Sequence, residues 1–370
     1  TYLANLNPHP RDSHISFDEG PHIYTIDGDS DFMSVTTWNH SHFPHFNAKK
    51  IIAKMMKGKN WNEKNKYWGM TSEEIQELWR KNGETASKAG TKMHYDIECF
   101  YNDCEVEVEE DNIEWNYFEK FEKEIGSKMT PYRTEWMVWD NELKFAGSID
   151  MIYENDDGTL EIYDWKRSKG IKFGNDWENA TTECIKHLPN CNHILYSLQL
   201  NTYKALLEKN YGKKVKGMYL VVLHPNNKKK TYHRIPVDDL EKEVTDLFDL
   251  RRKNLLEKEV KNLNYHKNTP YKIQKKADLK NINNLIKNTI RNNAILKYIN
   301  ENIIKGNPND RIKKTEIRNH FNEWYKVNYQ QRAPKATELY RGLNKKLGKQ
   351  RNRAWYGWRV DYRKMLQKRT

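Results

Sequence analysis

The chain has 370 residues, a formal net charge of +13 at pH 7 and four cysteines. That length admits two domains. No apolar run approaches the roughly 20 residues of a bilayer-spanning helix, and no signal-peptide pattern opens the chain. Cys99, Cys104, Cys184 and Cys191 are too few for a secreted disulfide framework. A soluble, intracellular protein without a membrane partner is expected, and the start at Thr1 instead of Met reads as the boundary of a processed or excised fragment.

In chain order, His40, His42 and His45 fall in an expected loop. The Thr71-x-x-Glu74 spacing of a capping box opens a helical run through Ile75, Leu78 and Trp79, and a second helix is expected over residues 86–100, the helical span as a whole covering 72–101. There His94 and Glu98 lie four apart, on one face. A helix over 113–125 follows, then a strand from Glu135 to Trp139, in which Glu135 is a candidate for metal or supporting contact.

Phe145–Glu154 and Leu160–Lys166 are β-prone runs flanking the turn-forming cluster Asn155-Asp-Asp-Gly158, so the pattern predicts a hairpin. A symmetric register pairs Asp150 with Asp164, Ile152 with Ile162 and Glu154 with Leu160. Side chains alternate along a strand, so Asp164 and Lys166 share a face with Asp150 opposite. Charges on an edge strand usually serve solubility. Here the acids lie on a face that also carries Ile152 and Ile162, where carboxylates need partners. A divalent metal suits two carboxylates, and Lys166 is placed to hold or polarise a water or a phosphate oxygen.

Cys184-x-x-His187-x-x-x-Cys191-x-His193 offers four zinc-ligand types in a loop too short to wrap a tetrahedral ion. A helix over 193–209 carries Gln199 and Tyr203 at i and i+4. Strands are expected at 217–223 and 231–235, and a helix at 239–257. Residues 1–256 therefore read as an α/β domain, its sheet covered by helices.

Charge separates the remainder. Residues 271–370 hold 26 Lys and Arg against 7 Asp and Glu, or +19, which leaves 38 against 44, or −6, for residues 1–270. A lysine-rich linker is expected over 257–281, then a small domain over 282–370. Its expected elements are helices at 282–304, 315–327 and 335–347, Gly348 as C-cap, and a β-wing from Arg351 to Tyr362 with Trp355, Tyr356 and Trp358 in the wing core. This helix, turn, helix and wing pattern suggests a winged helix. Lys335, Arg341, Lys345, Lys346, Lys349, Arg351, Arg353 and Arg359 form a basic cluster suited to neutralising DNA phosphates.

Asp150 with Asp164-Trp165-Lys166 resembles the core of the PD-(D/E)XK nucleases. Gly90-Thr91-Lys-Met-His94 and Gln199-Leu-Asn-Thr-Tyr203 resemble two further elements of the RecB-like branch, in the same order along the chain. Ser148-Ile149 stands where that family often has a proline. The resemblance implies a restriction-endonuclease-like mixed sheet flanked by helices, over roughly residues 15–250. It also implies Mg²⁺ or Mn²⁺ held by His94, Asp150, Asp164 and the Trp165 carbonyl, hydrolysis assisted by Lys166, Glu98 and Glu135 in support, and Gln199 and Tyr203 against DNA. The cysteine spacing does not fit the iron-sulfur cluster that some RecB-like nucleases carry.

The stretch His22–Gly28 with Ser34–Thr37 resembles the opening of RecB-like nucleases encoded by large DNA viruses, which implies a viral or mobile-element origin and the cytoplasm or nucleus of an infected host. Residues 335–362 resemble the winged-helix module of viral and plasmid primase-helicases. The expected activity is metal-dependent cleavage of double- or single-stranded DNA, endo- or exonucleolytic. The competing expectation is a DNA-binding replication or recombination accessory protein with an inactive nuclease-like domain.

Overall fold

A computed structural model describes residues 1–109, 111–265, 291, 294–329 and 333–361. The chain divides into two compact units, Thr1–Leu255 and Leu256–Thr370. In the first, the hairpin is built around Asn155–Thr159, with Gly158 at φ +74°, a left-handed conformation that glycine adopts without steric cost. Strands β5 (Phe145–Glu154) and β6 (Leu160–Lys166) pair antiparallel with Ile152↔Ile162 and Glu154↔Leu160, the expected register.

The ladder ends at Met151↔Tyr163, one step before Asp150 and Asp164. On its other edge β5 pairs along its length with β4 (Thr130–Asp140). The start of β5, at Phe145 and Ala146, pairs in parallel with β3 (Met33–Ser34), which follows the β1–β2 hairpin of Ile15–Asp18 and Ile23–Ile26. Because β4 occupies one edge, β3 and β6 share the other and leave residues 147–150 between them without a strand partner there. That notch holds Asp150.

Beyond β6 the sheet continues through parallel β7 (Val215–Val222) to antiparallel β8 (His233–Pro236). Two layers of helices bury the alternating faces. Helices α4 (Ser72–Tyr101) and α5 (Ile113–Glu124) pack Met93, Ile97, Phe118 and Phe121 against Met151, Tyr163 and Trp165. On the opposite face α2 (Val35–His40), α6 (Asn192–Asn210) and α7 (Glu241–Tyr265) pack Trp38, Leu198, Leu206 and Leu247 against Ile152, Ile162 and Leu220. Short helices α1 (Tyr2–Leu6) and α3 (Ala48–Met56) precede α4. The result is a mixed sheet between helices, the restriction-endonuclease-like core.

The two expected runs on either side of Ala86 join as the expected helical span 72–101, one 30-residue helix, α4, opened by the Thr71/Glu74 capping box. Gly83 and Gly90 do not break it; an added Cβ at either meets nothing within 4 Å, and residues 80–88 are exposed on every side. Helix α7 runs on to Tyr265, so the first residues of the expected linker are helical. Residues 266–281 lie outside the described residues.

The second unit has its own core. Residues 294–302 are helical, and Ile295, Tyr298 and Ile299 pack with Ile317, Phe321 and Trp324 from the helix Lys314–Tyr329 and with Leu339 and Leu343 from the helix Ala336–Leu347, which Gly348 caps. Ile303–Lys305, expected as the end of a helix, is a strand. The expected wing supplies Ala354–Tyr356 and Trp358–Val360, yet these do not pair with each other. They pair with Arg311–Lys313 and Ile303–Lys305, because Gly357 bonds both Gly306 and Asp310 and bulges the loop 306–310 out of one long ribbon. Trp355 is core and Trp358 packs against it, whereas Tyr356 is exposed. Tyr362 and residues 282–290 lie outside the described residues.

Candidate active site

His94 reaches the notch from the last third of α4, where the helix meets the sheet. Its Nε2 donates to the Trp165 carbonyl at 2.9 Å, and its Nδ1 lies 3.5 Å from Asp150 Oδ2 and 3.7 Å from Glu135 Oε1. Ligand atoms of His94, Glu135 and Asp150 all fall within 4.8 Å of one another. Among the described residues no other group of three His, Cys, Asp or Glu side chains converges in this way. The Trp165 amide donates to Asp150 Oδ2 at 2.9 Å and fixes that carboxylate.

The flanking pairs Thr134↔Met151 and Trp136↔Ile149 set Glu135 across from Asp150. Glu135 has φ +42°, a left-handed backbone that side chains rarely adopt, so strain is concentrated beside the acids. Its Oε2 accepts a 2.7 Å bond from the Ser148 hydroxyl. The alternation of faces also slips here. Ile149 and Met151 are two residues apart yet pack in different clusters, against α6 and against α4.

That slip divides what the hairpin alone placed together. Asp150 turns toward His94 and Glu135, while Asp164, 3% exposed, keeps to the α6 side, where its Oδ2 lies 2.6 Å from Lys166 Nζ. Lys166 Nζ in turn stands 4.6 Å above the Tyr196 ring of α6. Asp164 is therefore not among the converging ligand atoms, and Glu135, expected in support, is.

The electrostatics follow from burial among like and unlike charges. Burial, and then the neighbouring Asp164 and Glu135 carboxylates, push Asp150 up to about 7 against the opposing pull of His94 and Lys166. Burial works against charge on His94, but Asp150 and Glu135 outweigh it and raise the imidazole to about 9. Burial likewise opposes the Lys166 ammonium, and the carboxylates of Asp164 and Asp150 hold its pKa above the ordinary lysine value. Two half-buried carboxylates held by a protonated imidazole make a site that a cation can take over.

The donor set fits a hard divalent ion: two carboxylates, a main-chain carbonyl and one imidazole suit Mg²⁺ or Mn²⁺. Cys184, His187, Cys191 and His193 do not assemble a zinc site; His187 bonds Glu243, and His193 packs under Phe173. His42 bonds Thr182 instead of gathering with His40 and His45.

Glu98 is half-buried, one helical turn beyond His94, and burial and Glu135 raise its pKa. Tyr203 is only 3% exposed, so the DNA contact expected of it does not lie on the surface. Its ring covers Gly147, where an added Cβ would stand 2.7 Å from the hydroxyl, and it hydrogen-bonds Gln199. Sequence reasoning missed Tyr196, Ser148 and Tyr24. Tyr196 lies three residues before Gln199 on the helix face that carries Tyr203, a spacing that would have found it. Tyr24 sits near Glu135 and Asp150, and burial and those acids push its hydroxyl up to about 12.

In the second unit, Lys335, Arg341, Lys345, Lys346, Lys349, Arg351, Arg353 and Arg359 are all exposed. Arg351 and Ala354 close a tight turn with Asn352 at φ +49° and Arg353 at φ +58°, the two left-handed residues of a type I′ turn, which projects the arginines into solvent.

A helix-flanked mixed sheet with acids, a lysine and a histidine at the point where two strands part defines a nuclease-type core. The sequence model of the PD-(D/E)XK nuclease superfamily matches residues 54–294, and the chain belongs to that superfamily. Its members are generally metal-dependent nucleases acting on DNA. No curated protein matches the chain. No helix among the described residues is long and apolar enough to cross a membrane.

Proposed function

We propose that this chain is a Mg²⁺- or Mn²⁺-dependent deoxyribonuclease that hydrolyses DNA phosphodiester bonds at the notch between β5 and β6. The observation that carries this reading is the convergence of His94, Glu135 and Asp150 beside the Trp165 carbonyl, with the Asp164–Lys166 pair alongside. His94, Glu135, Asp150 and the Trp165 carbonyl would hold the ion, with Glu135 in the place that the resemblance gives to Asp164. When bound, such an ion supplies Lewis acidity and a water acidic enough to attack at neutral pH.

The protein's own part is orientation. The Trp165 amide fixes Asp150, and Ser148 fixes Glu135. Asp164 holds the Lys166 ammonium over Tyr196, where it positions the attacking water and meets the negative charge that develops on the phosphate oxygens. Gln199 and Tyr203 support the β5 side of the notch. The exposed basic residues of the second unit, in a winged-helix-like fold, bind the DNA backbone and compensate for a net-acidic catalytic region.

Asp150→Asn and Lys166→Ala, tested with Mn²⁺ on labelled DNA, should each lower cleavage by at least about a hundredfold while both still fold and bind DNA, Lys166→Ala at reduced stability because Asp164 loses its partner. Unchanged cleavage in both variants would contradict the proposal.

A further inference from the structure

The segment that leaves the catalytic strand at Lys166 carries the most exposed large apolar side chain of the described residues. Trp177 is 92% exposed and Phe173 is 62% exposed. Isolated apolar residues on a surface are ordinary, but a nearly bare tryptophan on the segment that follows Lys166 is not.

The backbone under these rings is fastened. The Lys172 amide donates to Asn192 Oδ1, the His193 amide to the Lys172 carbonyl, and Asn175 Nδ2 to the Asn190 carbonyl, while Asn175 Oδ1 accepts from the Trp177 amide. The segment is thereby fixed to the first turn of α6.

Helix α6 links it to the chemistry. His193, Tyr196, Gln199 and Tyr203 follow one another at three- and four-residue spacing and so share a face. Tyr203 covers Gly147 in the notch, Tyr196 lies under Lys166, and His193 lies under Phe173 with ring centroids 4.5 Å apart. One helical step of three residues, about 4.5 Å, separates the aromatic that backs the lysine from the histidine that backs Phe173. Lys169 and Lys172, both exposed, supply positive charge ahead of Phe173, while the exposed acids Asp176 and Glu178 flank Trp177, whose part is therefore stacking and not charge.

Exposed aromatics on a fastened backbone, with lysines ahead of them, suit single-stranded nucleic acid: bases stack on the rings and phosphates pair with the ammoniums. We propose that Phe173 and Trp177 stack unpaired bases of the DNA strand entering the notch, so that the site takes single-stranded DNA or a frayed end in preference to a closed duplex. This rests on the nuclease reading for where the strand goes, though base stacking itself is measurable without cleavage.

The test uses the full chain with Ca²⁺ in place of Mg²⁺ to prevent cutting, and salt high enough to suppress purely electrostatic binding. Affinity is measured for a 2-aminopurine-labelled single-stranded oligonucleotide and for a blunt duplex of the same sequence. Trp177→Ala should weaken single-strand binding by about five- to a hundredfold, with the duplex changed less than about twofold and the 2-aminopurine quench lost. Trp177→Phe should retain most of the affinity, and Phe173→Ala should show a smaller loss of the same kind.

Equal effects on both substrates, or no loss in either alanine variant, would overturn the stacking role and leave these aromatics to a protein contact. Wild-type cleavage with no effect of Trp177→Ala refutes this inference alone. A stacking signature without metal-dependent cleavage refutes the nuclease reading alone.

Discussion

The notch of the first unit and the exposed basic residues of the second are both sets of charges, but arranged in opposite ways. At the notch a few charges are buried, mutually bonded and held by main-chain groups, with Asp164 3% exposed and Asp150 fixed by the Trp165 amide. On the second unit eight cations stand exposed along the helix Ala336–Leu347 and its flanks, on a tight turn and on a strand. Buried charges must satisfy one another, so their geometry is specific and unforgiving. Exposed charges act as a field, so number matters more than position.

That contrast can be broken first by cutting it in two. Deleting residues 271–370 should lower DNA affinity by about 10²–10³ at physiological salt and flatten its salt dependence by about 0.9 for each phosphate no longer neutralised. Cleavage at saturating protein should fall far less. Filter binding and single-turnover cleavage across a salt series read both; equal affinity after truncation would remove the basic unit from DNA binding.

Next, Glu135→Gln separates a ligand from a supporting acid. As a ligand it should raise the Mn²⁺ concentration for half-maximal cleavage by more than about 100-fold, beyond the 10–100-fold on which metal sites weaken when only a supporting partner is removed. A metal titration unchanged from wild type would return Glu135 to bonding Ser148 alone.

The smallest effect contrasts packing with field. Gly147→Ala drives a Cβ to within 2.7 Å of the Tyr203 hydroxyl and should cost about 1–3 kcal/mol of stability in denaturant unfolding. Arg353→Gln, on the exposed turn, should stay within about 0.5 kcal/mol.

Much of the catalytic unit was legible because its signals are local. The turn Asn155–Gly158 sets the β5–β6 register, Thr71 and Glu74 start α4, and the alternation of β6 places Asp164 and Lys166 on one face. What was not legible depends on contacts distant in sequence. The left-handed backbone at Glu135 and the slip of faces at Asp150 arise where β3 and β6 share an edge of β5, and no run of residues near Asp150 announces that. The division of the acids into a His94–Glu135–Asp150 group and an Asp164–Lys166 pair followed from it.

In the second unit the helices were readable from the spacing of Ile317, Phe321 and Trp324 and of Leu339 and Leu343. The three-residue strands Ile303–Lys305 and Arg311–Lys313 were not, since so short a run carries no periodicity, and they pair with the strands of the expected wing at 354–360.

The central claim is that the notch cuts DNA with a divalent ion. Incubating the full chain with labelled linear and covalently closed DNA, in Mn²⁺ and separately in EDTA, tests it most directly. Hydrolysis of at least one form in Mn²⁺ and of none in EDTA is the expected result. DNA bound in Mn²⁺ but left intact in every form would contradict it.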